Sequence, residues 1–155
     1  MMIEGRQTAA YDGDLVVFLI GMRVNKLRAL RRWLPVARAM GPMLRELSAD
    51  PDSGLLGFRT FPGLRSVTMV QYWESAEKLQ AFANDAQRTH RPAWVEFYKQ
   101  SYQGSAVGIW HETFVVPAGH TETIYGNMPL LGLGTVAGVV PVSRRGATAA
   151  ERLAR

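Results

Sequence analysis

DLVVFLIGMR, residues 14–23, is the stretch whose reading decides the fold. It is a continuous apolar run rich in valine, isoleucine and phenylalanine, with no polar alternation, as expected for a central strand covered on both faces. After it, Leu27, Leu30, Leu34, Ala37, Gly41 and Leu44 recur at spacings of three and four, with Arg28, Arg31, Arg32, Arg38 and Arg45 elsewhere, which predicts an amphipathic helix. Pro35 and Pro42 each remove a backbone donor, so the helix is expected to be divided or kinked, and to end near Ser48, where ADPDSG supplies turn residues.

GLLGFRTF (residues 54–61) and SVTMVQYW (66–73) flank Pro62-Gly63 and read as a β-hairpin. Ser75 is placed to cap a helix carrying Leu79, Phe82 and Ala83. After a break at residues 88–91, a second helical stretch over 92–102 carries Trp94, Val95 and Tyr98. GIWHETFVV (108–116) is the last strand, ended by Pro117 and Gly119. Strand, helix, strand, strand, helix, strand is the ferredoxin-like βαββαβ arrangement of the α+β class. Its antiparallel sheet has helices on one face and an apolar open face on the other, which predicts a homodimer closed through the two sheets.

The chain has 155 residues, 47% hydrophobic and 20% charged, which suits one domain with a substantial core. It has no cysteine, so thiolate metal sites and cysteine nucleophiles are excluded, and a reducing cytoplasm is the expected location. The first ten residues contain charges and no long apolar core, so no secretory signal is expected. Four arginines and one glutamate of the formal +5 charge fall in residues 143–155, which read as a flexible tail, and no nucleic-acid partner is expected. MPLLGLGTVAGVVPV, residues 128–142, is apolar but broken by three glycines and too short to span a bilayer, so no membrane partner is expected. It reads as an extension or flap over an apolar groove, making residues 1–142 one domain.

GRQTA (5–9), VVFLIGMRVN (16–25), QYWES (71–75), HRPAW (90–94), VGIWHETF (107–114) and ETIYGNMPLLGL (122–133) are separated stretches that occur in this order. Together they resemble the dimeric α+β barrel superfamily, in particular a family of unknown function labelled monooxygenase-like by kinship with a protein of fumagillin biosynthesis. The resemblance covers nearly all of residues 5–142. It implies oxidation of aromatic or polyketide-like compounds without metal or flavin, as in the monooxygenases of the superfamily. Other members, such as chlorite dismutases and aldoxime dehydratases, are haem enzymes, which makes haem b the alternative cofactor.

His111 sits within the last strand among apolar residues and serves either as a general base, as a haem ligand, or as a hydrogen-bonded structural histidine. Glu112 alternates to the other strand face beside Trp110 and Phe114, where burial would require a partner such as Arg23. Tyr125 and Asn127 add a phenol and an amide near the extension and join His111 as candidate catalytic groups. Trp110, Trp94, Phe114, Met128 and Arg23 are the candidate ligand contacts. His90 is the lesser haem-ligand candidate, and Arg23 or Arg91 would meet the propionates. The spacing of His90, His111 and His120 matches no zinc pattern, and GLGTVAG lacks the strand-before, helix-after setting of a dinucleotide loop. Three functions remain: an oxygenase-like enzyme, a haem protein, or a non-enzymatic dimer binding a small hydrophobic ligand.

Overall fold

The computed structural model describes residues 1–85 and 104–154. Its strands are β1 (Ile3–Ala9), β2 (Leu15–Val24), β3 (Leu55–Pro62), β4 (Ser66–Trp73), β5 (Val107–Val116), β6 (Tyr125–Met128) and β7 (Val139–Pro141). Its helices are α1 (Leu30–Ala49), α2 (Ala76–Asn84), α3 (Leu133–Ala137) and α4 (Ala149–Leu153). The expected second helical stretch at 92–102, with Trp94, lies outside the described residues, as do His90 and Arg91.

The larger sheet has the order β3-β4-β2-β5, with every neighbouring pair antiparallel. This is the ferredoxin-like order. β2 lies between β4 and β5, and both of its faces are covered, which is why residues 14–23 lack polar alternation. Val16 turns to one side and packs with Leu47 of α1, Trp73 and Leu79 of α2, while Met22 and Val24 join Val107, Trp33 and Val36. Leu15 and Val17 turn to the other side and join a cluster with Leu133. Full burial of one such side chain contributes about 1.5–3 kcal/mol. Packing therefore outweighs the missing side-chain cap of α1, whose Ala29 N-cap forfeits roughly 1 kcal/mol.

The hairpin forms as expected: the Gly63 amide donates to the Ser66 carbonyl at 2.7 Å across the turn. Ser75 caps α2 by accepting from the Lys78 amide at 3.2 Å. Of the expected division or kink of α1, the division does not occur: Pro35 and Pro42 both lie inside one continuous helix of 20 residues. Their spacing of seven puts both on the same exposed face. The carbonyls of Arg31 and Arg38, which lose their amide donors, are thereby left on the side where water can replace them.

Residues 128–142, expected as an extension or flap, run from the end of β6 through α3 to β7. β6 and β7 flank β1 in a second, three-stranded sheet of order β6-β1-β7. α3 between them packs Leu133 and Val136 against Val17, Leu56, Tyr72 and Val116, on the face of the large sheet opposite α1 and α2. Within residues 143–155, expected as a flexible tail, Ala149–Leu153 form α4. Thr148 and Glu151 close a capping box at the start of α4. Arg145 makes a two-pronged pair with Asp12 at 2.6 and 2.6 Å, and buried Arg152 pairs with Glu122.

Candidate functional site

Register decides which side chains share a face. Val16, Phe18, Ile20 and Met22 of β2 pair with Val115, Thr113, His111 and Ile109 of β5, and with Trp73, Gln71, Met69 and Val67 of β4. On β3 the matching positions are Leu55, Phe58, Thr60 and Pro62. Leu47 and Leu79 pack on this side, so it is the side covered by α1 and α2. Among the described residues, His111 is the one titratable side chain that this face of the sheet carries.

The His111 ring stands 5.6 Å from the ring of Phe18, tilted by 40°. It is exposed, and no described residue hydrogen-bonds it. One strand further in, Gln71 is buried beside Phe18. Its Oε1 accepts from Trp73 Nε1 at 2.9 Å, and its Nε2 reaches Met69 Sδ at 3.2 Å. These bonds hold the Trp73 indole, which meets the Phe82 ring at 5.6 Å. The floor is thus aromatic and apolar with two polar points, an amide and an imidazole. Gln71 was not singled out from the sequence, although it stands in phase with Met69 and Trp73, the inward positions of its strand.

The other proposed residues lie elsewhere. Trp110, Glu112 and Phe114 face the opposite side of the sheet with Arg23. Trp110 lies over Gly21, where an added β-carbon would meet its Nε1 at 2.3 Å. The expected ion pair of a buried Glu112 with Arg23 does not form within the chain. Glu112 is exposed and opposite Leu19, four residues from Arg23, or about 13 Å along the strand. Trp110 stands between them.

Tyr125 is also on that opposite side, in the Leu133 cluster, where its hydroxyl accepts from the Gly134 amide at 3.0 Å. It therefore shares no site with His111. Its neighbour Tyr72 has its phenol pKa raised by burial and then by the nearby Tyr125. Asn127 holds a left-handed backbone, φ 50°, and its Oδ1 accepts from the Gly5 amide at 2.9 Å, beside the irregular β1–β6 register. That is a strand-shaping role, which asparagine tolerates better than most residues. Met128 pairs with Ile3 at the same edge.

A cavity of about 270 Å³ opens between β1, the loop after β5 and the C-terminal residues, lined by Thr8, Tyr11, Thr121, Thr123, Arg145 and Arg152 among others. It is remote from His111 in the fold. Its guanidinium groups are neutralised by Asp12 and Glu122, and Thr8 and Thr123 bond each other at 3.0 Å, so its polar lining already serves the fold. No cluster of three or more metal-ligating side chains occurs among the described residues.

Residues 15–133 match the model of the monooxygenase af470-like family, from the first residue of β2 to the first of α3. The chain belongs to that family. Among members, the curated protein named monooxygenase af470, from Aspergillus fumigatus, is 29% identical over 87% of this chain. The chain spans 56% of that relative's length. Of solved structures, an aldoxime dehydratase aligns over 84% of this chain and 37% of its own, with a TM-score of 0.58 and 20% identity, a likeness of fold. The cofactor-independent oxygenase SnoaB of Streptomyces nogalater aligns over 66% of this chain and 92% of its own, with a TM-score of 0.46 and 13% identity. The family match includes both faces of the β2–β5 pair, so membership alone does not choose between the two sides of the sheet.

Proposed function

We propose that this af470-like chain is a monooxygenase acting on a small hydrophobic compound, aromatic or polyketide-like, held on the helix side of the larger sheet with His111 as general base. The observation that carries this reading is the solitary imidazole among the apolar and aromatic side chains of that face, against Phe18. A neutral imidazole has one ring nitrogen whose lone pair can accept a proton from a bound compound. Removing a proton from an activated methylene group gives a carbanion that reduces dioxygen: the carbon gains one oxygen as a ketone, and the second oxygen leaves as water with the two displaced hydrogens. The substrate carbon supplies all four electrons that the two oxygen atoms take up, so no separate reductant enters. Phe18 and the aromatic floor favour a flat ligand, and Gln71 keeps Trp73 oriented.

The opposite face supports a second part of the proposal, a homodimer. α3 covers only part of it, leaving Trp110 at 41% and Phe114 at 49% exposure. A second copy meeting this face would remove both from water.

Oxygen uptake with anthrone-like and phenolic compounds, followed by isotopic oxygen labelling of the product, tests the chemistry. Uptake in the intact protein with loss in His111→Ala supports it; unchanged uptake in that variant removes His111 from the mechanism. A second reading, haem b ligated by His111, is favoured by the exposed imidazole that no described residue hydrogen-bonds. Arg23 cannot then meet the propionates, because it lies on the other face. A Soret band on adding haemin that shifts in His111→Ala supports haem ligation, and no band rejects it.

A further inference from the structure

Between Asp14 and Glu46 the chain has seven basic residues and no acidic one, while the remainder has eleven basic and thirteen acidic. Folding sharpens this contrast. In the C-terminal segment, Arg145 and Arg152 are neutralised by Asp12 and Glu122. Arg28, Arg31 and Arg38 are exposed, and none has an ion-pair partner among the described residues.

α1 arranges these cations. Arg31, Arg38 and Arg45 are seven residues apart, so they follow nearly one line, drifting about 20° per step, over roughly 21 Å of helix. Leu27, in the turn before α1, and Leu30, its first residue and about 100° round from Arg31, flank the start of that line and are 54% and 55% exposed. Ala29 offers no capping side chain and the first turn holds no acid, so the positive end of the helix dipole adds to the same field. From Lys26 to Arg45 every side chain is cationic, apolar, glycine or proline. The one neutral donor among them, the Trp33 indole, is taken up by the Leu27 carbonyl at 3.1 Å, so none is left to fix a single orientation against a structured partner. Cations beside protruding leucines suit a fluid anionic surface instead.

We propose that this face of α1 docks on an anionic lipid bilayer, with Leu27 and Leu30 entering the boundary between headgroups and acyl chains and Arg28, Arg31 and Arg38 meeting lipid phosphates. No helix among the described residues is long and apolar enough to cross a membrane, so this contact is peripheral. It revises the expectation of no membrane partner and does not depend on the proposed oxygen chemistry.

The test is sedimentation of the full chain with vesicles of phosphatidylcholine alone and of phosphatidylcholine with about one third phosphatidylglycerol. The chain is expected to pellet with the anionic vesicles only, and less as salt rises. Each cation facing the surface strengthens binding roughly fivefold, so R31Q/R38Q together should weaken it by about twentyfold or more. L27S/L30S should remove the binding that persists in salt. Circular dichroism confirms that the variants fold. Absence of pelleting with anionic vesicles, or unchanged binding by folded R31Q/R38Q, overturns the proposal. Capture by duplex DNA as tight as by vesicles, with L27S/L30S indifferent, overturns it in favour of nucleic acid.

Discussion

Trp110 lies across Gly21 so closely that a β-carbon on Gly21 would stand 2.3 Å from the indole Nε1. Gly21→Ala therefore displaces the indole, a side chain on the face proposed to meet a second copy. The variant is expected to lose about 1–3 kcal/mol of stability and to weaken self-association, as is Trp110→Ala. Sedimentation velocity across a dilution series checks both. Undiminished dimerisation in both variants would show that this face is not the interface.

His111→Ala is expected to lower oxygen uptake by roughly a hundredfold or more, the range of a lost general base. Because the ring is exposed, its melting free energy should move by no more than about 0.5 kcal/mol. Parallel activity and thermal-melt measurements separate this outcome from simple unfolding.

Asn127 and Tyr125 should behave as structural residues. Asn127→Ala loses the bond to the Gly5 amide and keeps the left-handed backbone, costing about 1–3 kcal/mol. Asn127→Gly should cost less, because glycine adopts that backbone without steric penalty. Denaturant titration ranks the two. A loss of turnover in Asn127→Ala at unchanged stability would instead return this residue to the reaction.

Arg152→Ala leaves Glu122 without its cation, and about 2 kcal/mol of destabilisation is expected, below the fully buried case because Glu122 is partly exposed. Replacing both residues by leucine should recover much of that loss. A double-mutant cycle by chemical denaturation measures the coupling.

Tyr72 gives a pH signature. Its phenol pKa is raised in the folded chain by burial and then by Tyr125, so the folded state holds its proton where the unfolded chain has released it. Its contribution is complete below about pH 10 and is lost as pH rises through the folded value. Tyr11 is raised in the same direction, by burial and then by Glu74 and Asp14. Tyr72→Phe should therefore reduce, without abolishing, the fall in melting temperature above pH 10. A matching fall in both proteins would contradict this assignment.

The large sheet was legible because its signals are local. The unbroken apolar run of β2, Pro62-Gly63 in the hairpin and Ser75 ahead of α2 each act within a few residues. The hydrogen bond of Asn127 was not legible because its partner, the Gly5 amide, stands 122 residues earlier. The same distance hid β1, β6 and β7, which are short and pair only across most of the chain. Thr148 and Glu151 had readable capping spacing, but the Glu122 partner of Arg152 is tertiary and no spacing reveals it. At the candidate site, alternation correctly separated His111 from Glu112. It could not tell which side faced the helices, and so it could not exclude Tyr125 from the company of His111.

The position of β1 between β6 and β7 has a consequence for biosynthesis. A ribosome releases Gln7 long before Tyr125, its partner in β6, exists. At about 5–20 residues per second the wait is roughly 6–24 s, during which β1 has two unmated edges. A nascent chain must keep that ribbon from pairing with a neighbour on the same polysome, so slowing translation late in the message should raise misassembly even though the mature product is unchanged.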